Sequence, residues 1–69
     1  MQDELERVKF RIEILNIIED KLREMKALAQ RVVENELEQE EIQRVQLRVN
    51  ELAKEIGELE QINGVEVVH

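Results

Sequence analysis

Apolar residues in the second half of the chain are separated alternately by three and four positions. This alternation places them on one narrow stripe of an α-helix, as at the a and d positions of a heptad repeat. Leu47 is the apolar residue that lies well off the stripe before the predicted helix end. The pattern therefore predicts an amphipathic helix over about residues 37–62, whose stripe consists of Ile42, Val45, Val49, Leu52, Ile56 and Leu59.

The first half is also helical in pattern, but its apolar arc is wider. One row contains Leu5, Val8, Ile12, Leu15 and Leu22, and an adjacent row contains Phe10, Ile14, Ile17, Met25 and Leu28, with Ile18 and Val32 between them. At about 100° per residue, the two rows cover roughly half of the helix circumference. A helix over about 2–33 with two apolar rows needs two neighbouring elements to cover it.

The two patterns do not join in one register. Carrying the second stripe backwards places its positions on polar residues such as Glu38, Asn35 and Arg31. A turn at about 34–36 explains the break and predicts an antiparallel, coiled-coil-like helical hairpin, with Asn35 capping a helix or adopting a left-handed conformation and pairing with Glu38 in a capping box. The alternative is one continuous helix over about 2–62, since Glu and Leu favour helices and no Gly or Pro marks the turn.

Folding the hairpin back at this turn brings Ala29 opposite Ile42, and Leu15 opposite Ile56. The same register brings Leu22 opposite Val49 and Ile12 opposite Leu59. The predicted hairpin core consists of Val8, Ile12, Leu15, Leu22, Ala29, Ile42, Val45, Val49, Leu52, Ile56 and Leu59.

The second row of the first helix is left uncovered by this pairing. Contiguous apolar patches rarely stay exposed, so a second copy of the chain is expected to cover the row in a homodimeric four-helix bundle. The predicted oligomer interface consists of Phe10, Ile14, Ile17, Ile18, Met25 and Leu28.

The pair Asn63-Gly64 predicts the end of the second helix, because glycine readily takes the positive φ of a helix C-terminus. Residues 65–68 then read as a short extended tail, which could pack on the bundle, pair with its copy or stay loose.

Composition supports an associating chain. Sixty-nine residues form one domain at most, and the absence of Cys removes disulfides and thiolate metal sites as stabilising devices. The net charge of −7 lies entirely in residues 34–69, which argues against nucleic acid and anionic membranes as partners. No apolar run spans a bilayer and the acidic N-terminus has no signal core, so a cytoplasmic location is expected. A basic protein partner could use the acidic run around the turn, through Glu34, Glu36, Glu38, Glu40 and Glu41. An apolar-helix protein partner could instead dock on the cluster of Phe10, Ile14 and Ile17.

Catalysis and cofactor binding have little support in the residue types. Ser, Thr, Cys and Tyr are absent and the one His is His69, so no nucleophile–base pair exists, and no catalytic, cofactor or metal residue is predicted. The pairs Glu38-x-x-Glu41 and Glu55-x-x-Glu58 resemble the acidic pairs by which all-helical nucleotide pyrophosphohydrolases hold magnesium. With 17 acidic residues in the chain, however, about four such pairs are expected by chance.

The predicted function is that of a self-associating adaptor or regulatory module without catalysis. A metal-dependent nucleotide hydrolase or metal-binding bundle is the first alternative. The architecture also resembles the helical-hairpin dimers of the Rop type, plasmid copy-number regulators, and this resemblance implies an RNA-binding face as a third alternative. Such a face would require scattered basic residues to converge on one side, namely Lys9, Arg11, Lys21, Arg23 and Arg31.

Overall fold

A computed structural model describes residues 2–67 of the chain, and the side chains of residues 3–63. Two helices, α1 (Gln2–Glu34) and α2 (Gln39–Val67), pack against each other along their length. The resulting rod measures 54 × 16 × 13 Å. The all-α, hairpin prediction is confirmed, and the continuous helix is not what this chain forms.

The connection covers residues 35–38 and differs slightly from the turn predicted at 34–36. Asn35 closes α1: its backbone N–H and its side-chain Nδ2 both donate to the Arg31 carbonyl oxygen, each at 3.1 Å. No non-glycine residue of the described chain has positive φ, so Asn35 is a cap but not a left-handed one. α2 begins with the backbone N–H of Ile42 donating to the Glu38 carbonyl oxygen at 3.0 Å, which makes Glu38 the N-cap residue.

The C-terminal end of α2 corrects the sequence prediction. The helix does not stop at Asn63-Gly64 but continues through Val67, so Val65, Glu66 and Val67 are helical instead of extended. Gly64 stays in the helical region, since no described glycine has positive φ. A single glycine costs a helix only about 1 kcal/mol, and no proline follows to enforce a stop. Val68, the last residue of the predicted tail, lies outside the described residues.

A second correction concerns the row of α1 that packs on α2. The residues facing α2 alternate three and four positions apart, and we call them the packing seam: Arg11, Ile14, Ile18, Lys21, Met25, Leu28 and Val32. From Arg11 to Leu28, each residue of the packing seam comes one position before a heptad position of the row that was predicted to face α2. One residue corresponds to about 100° of rotation, so α1 is turned by that angle relative to the predicted pairing.

Burial follows the packing seam. Ile14, Ile18, Leu52 and Ile56 are the buried side chains of the described part, and Leu52 is 0% exposed. Met25 and Leu59 pack against the cluster of Ile14, Ile18 and Ile56. Burying one Leu or Ile contributes roughly 1.5–3 kcal/mol, so this small group is the main apolar contribution to holding the helices together.

Candidate interaction surfaces

One edge of the hairpin is crossed by three ion pairs. Lys21 Nζ donates to Glu55 Oε1 at 2.9 Å. Arg48 binds Glu24 through two hydrogen bonds, Nε to Oε2 at 2.8 Å and Nη2 to Oε1 at 3.1 Å. Near the connection, Arg31 Nη2 lies 3.6 Å from Glu41 Oε2. The three pairs run in opposite order along the two helices, as the antiparallel packing requires.

These contacts shift the pKa values of the groups involved. The paired hydrogen bonds from Arg48 lower the pKa of Glu24, and they raise the pKa of the Arg48 guanidinium in turn. The hydrogen bond from Lys21 likewise lowers the pKa of Glu55. In each carboxylate the hydrogen bond favours the charged form and outweighs the opposing effect of lost solvation.

The opposite flank of α1 is apolar and has no cover. A row of residues runs along this flank. Its first members are Leu5 and Val8, and every later member comes one position after a residue of the packing seam. We call this row the outer seam: Leu5, Val8, Ile12, Leu15, Glu19, Leu22, Lys26, Ala29 and Val33, all of them exposed. Its four large apolar residues at the N-terminal end, Leu5 to Leu15, are 47–54% exposed. The sequence assigned five residues of this row to the hairpin core, and the structure places Val8, Ile12, Leu15, Leu22 and Ala29 on the surface instead.

The residues predicted to meet a second copy are divided by the structure. Ile14 and Ile18 are buried within the hairpin, and Met25 and Leu28 are half-buried on the packing seam. Phe10 and Ile17 are each 43% exposed, on the edge that carries the ion pairs. The correction follows from the rotation of α1, which turns one apolar row inward and the other outward.

The predicted core positions of α2 face α1 with one exception. Leu52 and Ile56 are buried, whereas Val45, Val49 and Leu59 are half-buried. The exception is Ile42, which is 41% exposed because it lies near the connection, on the flank away from the ion pairs.

A shallow groove of about 390 Å³ lies at the open end of the hairpin, lined by Ile17, Lys21, Glu55, Glu58, Leu59 and Ile62. It combines apolar side chains with the Lys21–Glu55 ion pair. Nearby, Asn63 presents a buried side-chain oxygen that accepts no hydrogen bond. The groove is small and open, and it offers no convergent set of polar groups for a small molecule.

The acidic run around the connection is partly neutralised by the chain itself. Glu41 is paired with Arg31, and Glu40 Oε2 lies 3.7 Å from Arg44 Nη2. Glu34, Glu36 and Glu38 are exposed. The run is therefore a charged helix junction with internal counterions, in which three carboxylates face solvent.

The acidic pairs considered as metal ligands do not converge. Glu55 is held by Lys21 and Glu41 by Arg31, so one member of each pair is occupied by a cation of the same chain. Within the described residues, no three His, Cys, Asp or Glu side chains lie close enough to hold a metal ion together. A metal site in a helical bundle needs carboxylates that face one another from neighbouring helices.

Comparison with protein-family models, with curated proteins and with solved structures yields no match for this chain. Among the described residues, neither helix combines the length and the apolar character that crossing a membrane requires.

Proposed function

We propose that the protein is a self-associating interaction module, and that two copies form a four-helix bundle through the outer seam. The observation that carries the proposal is the half-exposure of Leu5, Val8, Ile12, Leu15 and Leu22 in heptad spacing. Such a row is expected to lie against another helix, because isolated exposed apolar residues are ordinary but a contiguous stripe is not.

The total surface supports the same proposal. The chain exposes 5857 Å². A compact monomer of this length is expected to expose about 4,500 Å², so the hairpin carries an excess of roughly 1,300 Å². A standard interface buries about 800 Å² on each partner, which this excess is large enough to supply.

The two sides of α1 differ in charge, and this difference favours the outer seam as the face that associates. The edge with Lys21, Glu24 and Arg31 is occupied by ion pairs with α2. On the outer seam, Glu19 and Lys26 are the charged residues among apolar ones. If the two copies associate through the outer seam, the ion-paired edge stays in solvent. No ion pair on that edge then loses its hydration, so desolvation of these charges does not oppose association.

Sedimentation over a range of concentrations tests the proposal. The unaltered chain should sediment as a dimer at micromolar concentration and dissociate on dilution. The variant Ile12→Gln/Leu15→Gln should be monomeric at the same concentration but remain helical. Leu47→Gln is the matched control, since Leu47 is 65% exposed on the outer face of α2 and should leave the dimer intact. A monomer at every concentration would refute the proposal.

In the cell, such a module would act by holding two copies together and presenting their free surfaces to other proteins. The exposed carboxylates Glu34, Glu36 and Glu38 would then appear twice, once for each connection. A basic protein partner fits these carboxylates best, with Glu40 and Glu41 less available because Arg44 and Arg31 already bind them.

A further inference from the structure

The two charges on the outer seam are opposite in sign and seven residues apart. Glu19 and Lys26 occupy equivalent heptad positions, each where the repeat calls for an apolar residue. Both are exposed, and Glu19 Oε1 lies 3.1 Å from Arg23 Nη2 one turn away on the same helix. Neither charge forms an ion pair with α2 among the described residues.

Orientation of the second copy decides what these charges meet. In a parallel pairing of the two α1 helices, equivalent positions face each other, so Glu19 meets Glu19 of the partner subunit and Lys26 likewise meets its own equivalent. In an antiparallel pairing about a two-fold axis near residues 20–21, Glu19 instead lies opposite Leu22 of the partner subunit. At a rise of 1.5 Å per residue, it is then about 4.5 Å along the axis from Glu19 of the partner subunit and about 6 Å from Lys26 of the partner subunit. The symmetry forms the attractive contact between Glu19 and Lys26 of the partner subunit twice and the repulsive Glu19–Glu19 contact once, whereas the parallel pairing forms two repulsive contacts and no attractive one.

We infer that the two copies associate with their α1 helices antiparallel, joined by two symmetric ion pairs between Glu19 and Lys26 of the partner subunit. This inference rests on the proposed self-association and specifies its geometry. The connections at residues 35–38 then lie at opposite ends of the bundle. Along α1, Val8 faces Val33 of the partner subunit and Ile12 faces Ala29 of the partner subunit, which keeps the remaining layers apolar.

Charge reversal tests the orientation. Glu19→Lys or Lys26→Glu alone replaces both attractive contacts by repulsive ones, and each should raise the dimer Kd by roughly 5- to 30-fold. The double variant Glu19→Lys/Lys26→Glu should restore the original Kd. In a parallel dimer each single variant only exchanges one pair of like charges for another, so Kd would change little and the double variant would restore nothing.

Asp20→Lys is the matched control for the loss of a local ion pair. Asp20 Oδ1 lies 3.8 Å from Arg23 Nη1, so this variant makes the same charge change beside the same arginine. Asp20 lies off the outer seam, and its reversal should leave Kd within about twofold. An equal effect of Asp20→Lys and Glu19→Lys would overturn the specific ion pair, because only net charge would then matter.

A distance measurement provides an independent readout. The chain has no cysteine, so Glu6→Cys gives a single labelling site on exposed α1 surface. With the axis near residues 20–21, the two labels should lie about 45 Å apart, from a rise of 1.5 Å per residue. A distance of about 20 Å or less would show a parallel pair and overturn the inference while leaving self-association intact. Absence of any dimer would instead refute the proposed function itself.

Discussion

Replacement of Leu52 by alanine is the most direct test of how the hairpin is held together. Leu52 is the fully buried side chain of the described core, at 0% exposure. Truncating a buried leucine to alanine costs about 2–5 kcal/mol, and the lower end applies where neighbours can collapse into the space, as between only two helices. We therefore expect a loss of about 2–3 kcal/mol.

That loss is large for a chain of 69 residues. Domains have free energies of unfolding of roughly 0.05–0.15 kcal/mol per residue, which gives about 3–10 kcal/mol here. Urea denaturation followed by helical circular dichroism measures the effect. With a slope of about 1 kcal/mol per molar urea, the midpoint of Leu52→Ala should fall by 2–3 M, or the variant should be unfolded in buffer.

Leu47→Ala provides the internal comparison, because it makes the same chemical change on the same helix. Leu47 is 65% exposed, so its truncation should change the free energy of unfolding by no more than about 0.5 kcal/mol. Both variants are compared at one protein concentration, since association adds to the apparent stability. Equal losses in the two variants, or a larger loss for Leu47→Ala, would refute the assignment of the α2 face that packs on α1.

Three further predictions concern single contacts. The pKa of Glu24 is lowered from its ordinary value of 4.5, so its pair with Arg48 stabilises the fold above that pH and stops doing so as pH falls through the folded pKa. The difference in melting temperature between the original chain and Glu24→Gln should therefore vanish in acid, and a difference independent of pH would contradict this prediction. Lys21→Glu should lower the melting temperature by placing like charges opposite each other, and Lys21→Glu/Glu55→Lys should recover it, whereas no recovery would mean that the 2.9 Å contact is incidental. Gly57→Ala should raise the free energy of unfolding, measured by urea titration of a dilute sample, by about 0.5–1 kcal/mol, because alanine favours a helix more than glycine does. A Cβ at this position meets no atom within 4 Å, so no clash opposes the gain, and a loss of stability would reveal a contact there.

Heptad spacing predicted two helices, and the break in register between their patterns favoured an antiparallel return over one continuous helix. The alternation along α2 identified Leu52 and Ile56 as inward-facing because that helix has one apolar stripe and so one possible orientation. The polar run between the patterns located the connection to within about two residues, the usual uncertainty of a helix boundary.

The same reasoning could not orient α1, because two rows with identical spacing compete there. The outer seam is interrupted by Glu19 and Lys26, and the packing seam by Arg11 and Lys21, so apolar content does not separate them. The available signal was charge complementarity across the helices: with α1 in its observed rotation, Lys21 and Glu24 each meet an opposite charge on α2. Counting apolar positions alone ignores these pairs. For that reason Ile14 and Ile18, which pack inside the hairpin, were assigned to the oligomer interface.

The end of α2 shows the limit of local signals in another way. Asn63-Gly64 has the residue types of a helix stop, yet glycine permits a left-handed cap without requiring one. An extended segment over 65–67 would find no strand to pair with in the hairpin, so its backbone groups would bond to water instead. The helix therefore continues, because its own backbone hydrogen bonds are the best available for these residues.

The connection at residues 35–38 has a consequence for how the chain can exchange parts between molecules. It contains no backbone conformation with positive φ, and its residues, Glu36, Leu37 and Glu38 among them, are ordinary helix formers. Straightening it would cost little backbone strain, so contacts between α1 and α2 are what keep the chain folded on itself. At high concentration the same contacts can form between α1 of one molecule and α2 of another, and the balance between closed and domain-swapped forms is then set by the effective concentration that the short connection provides.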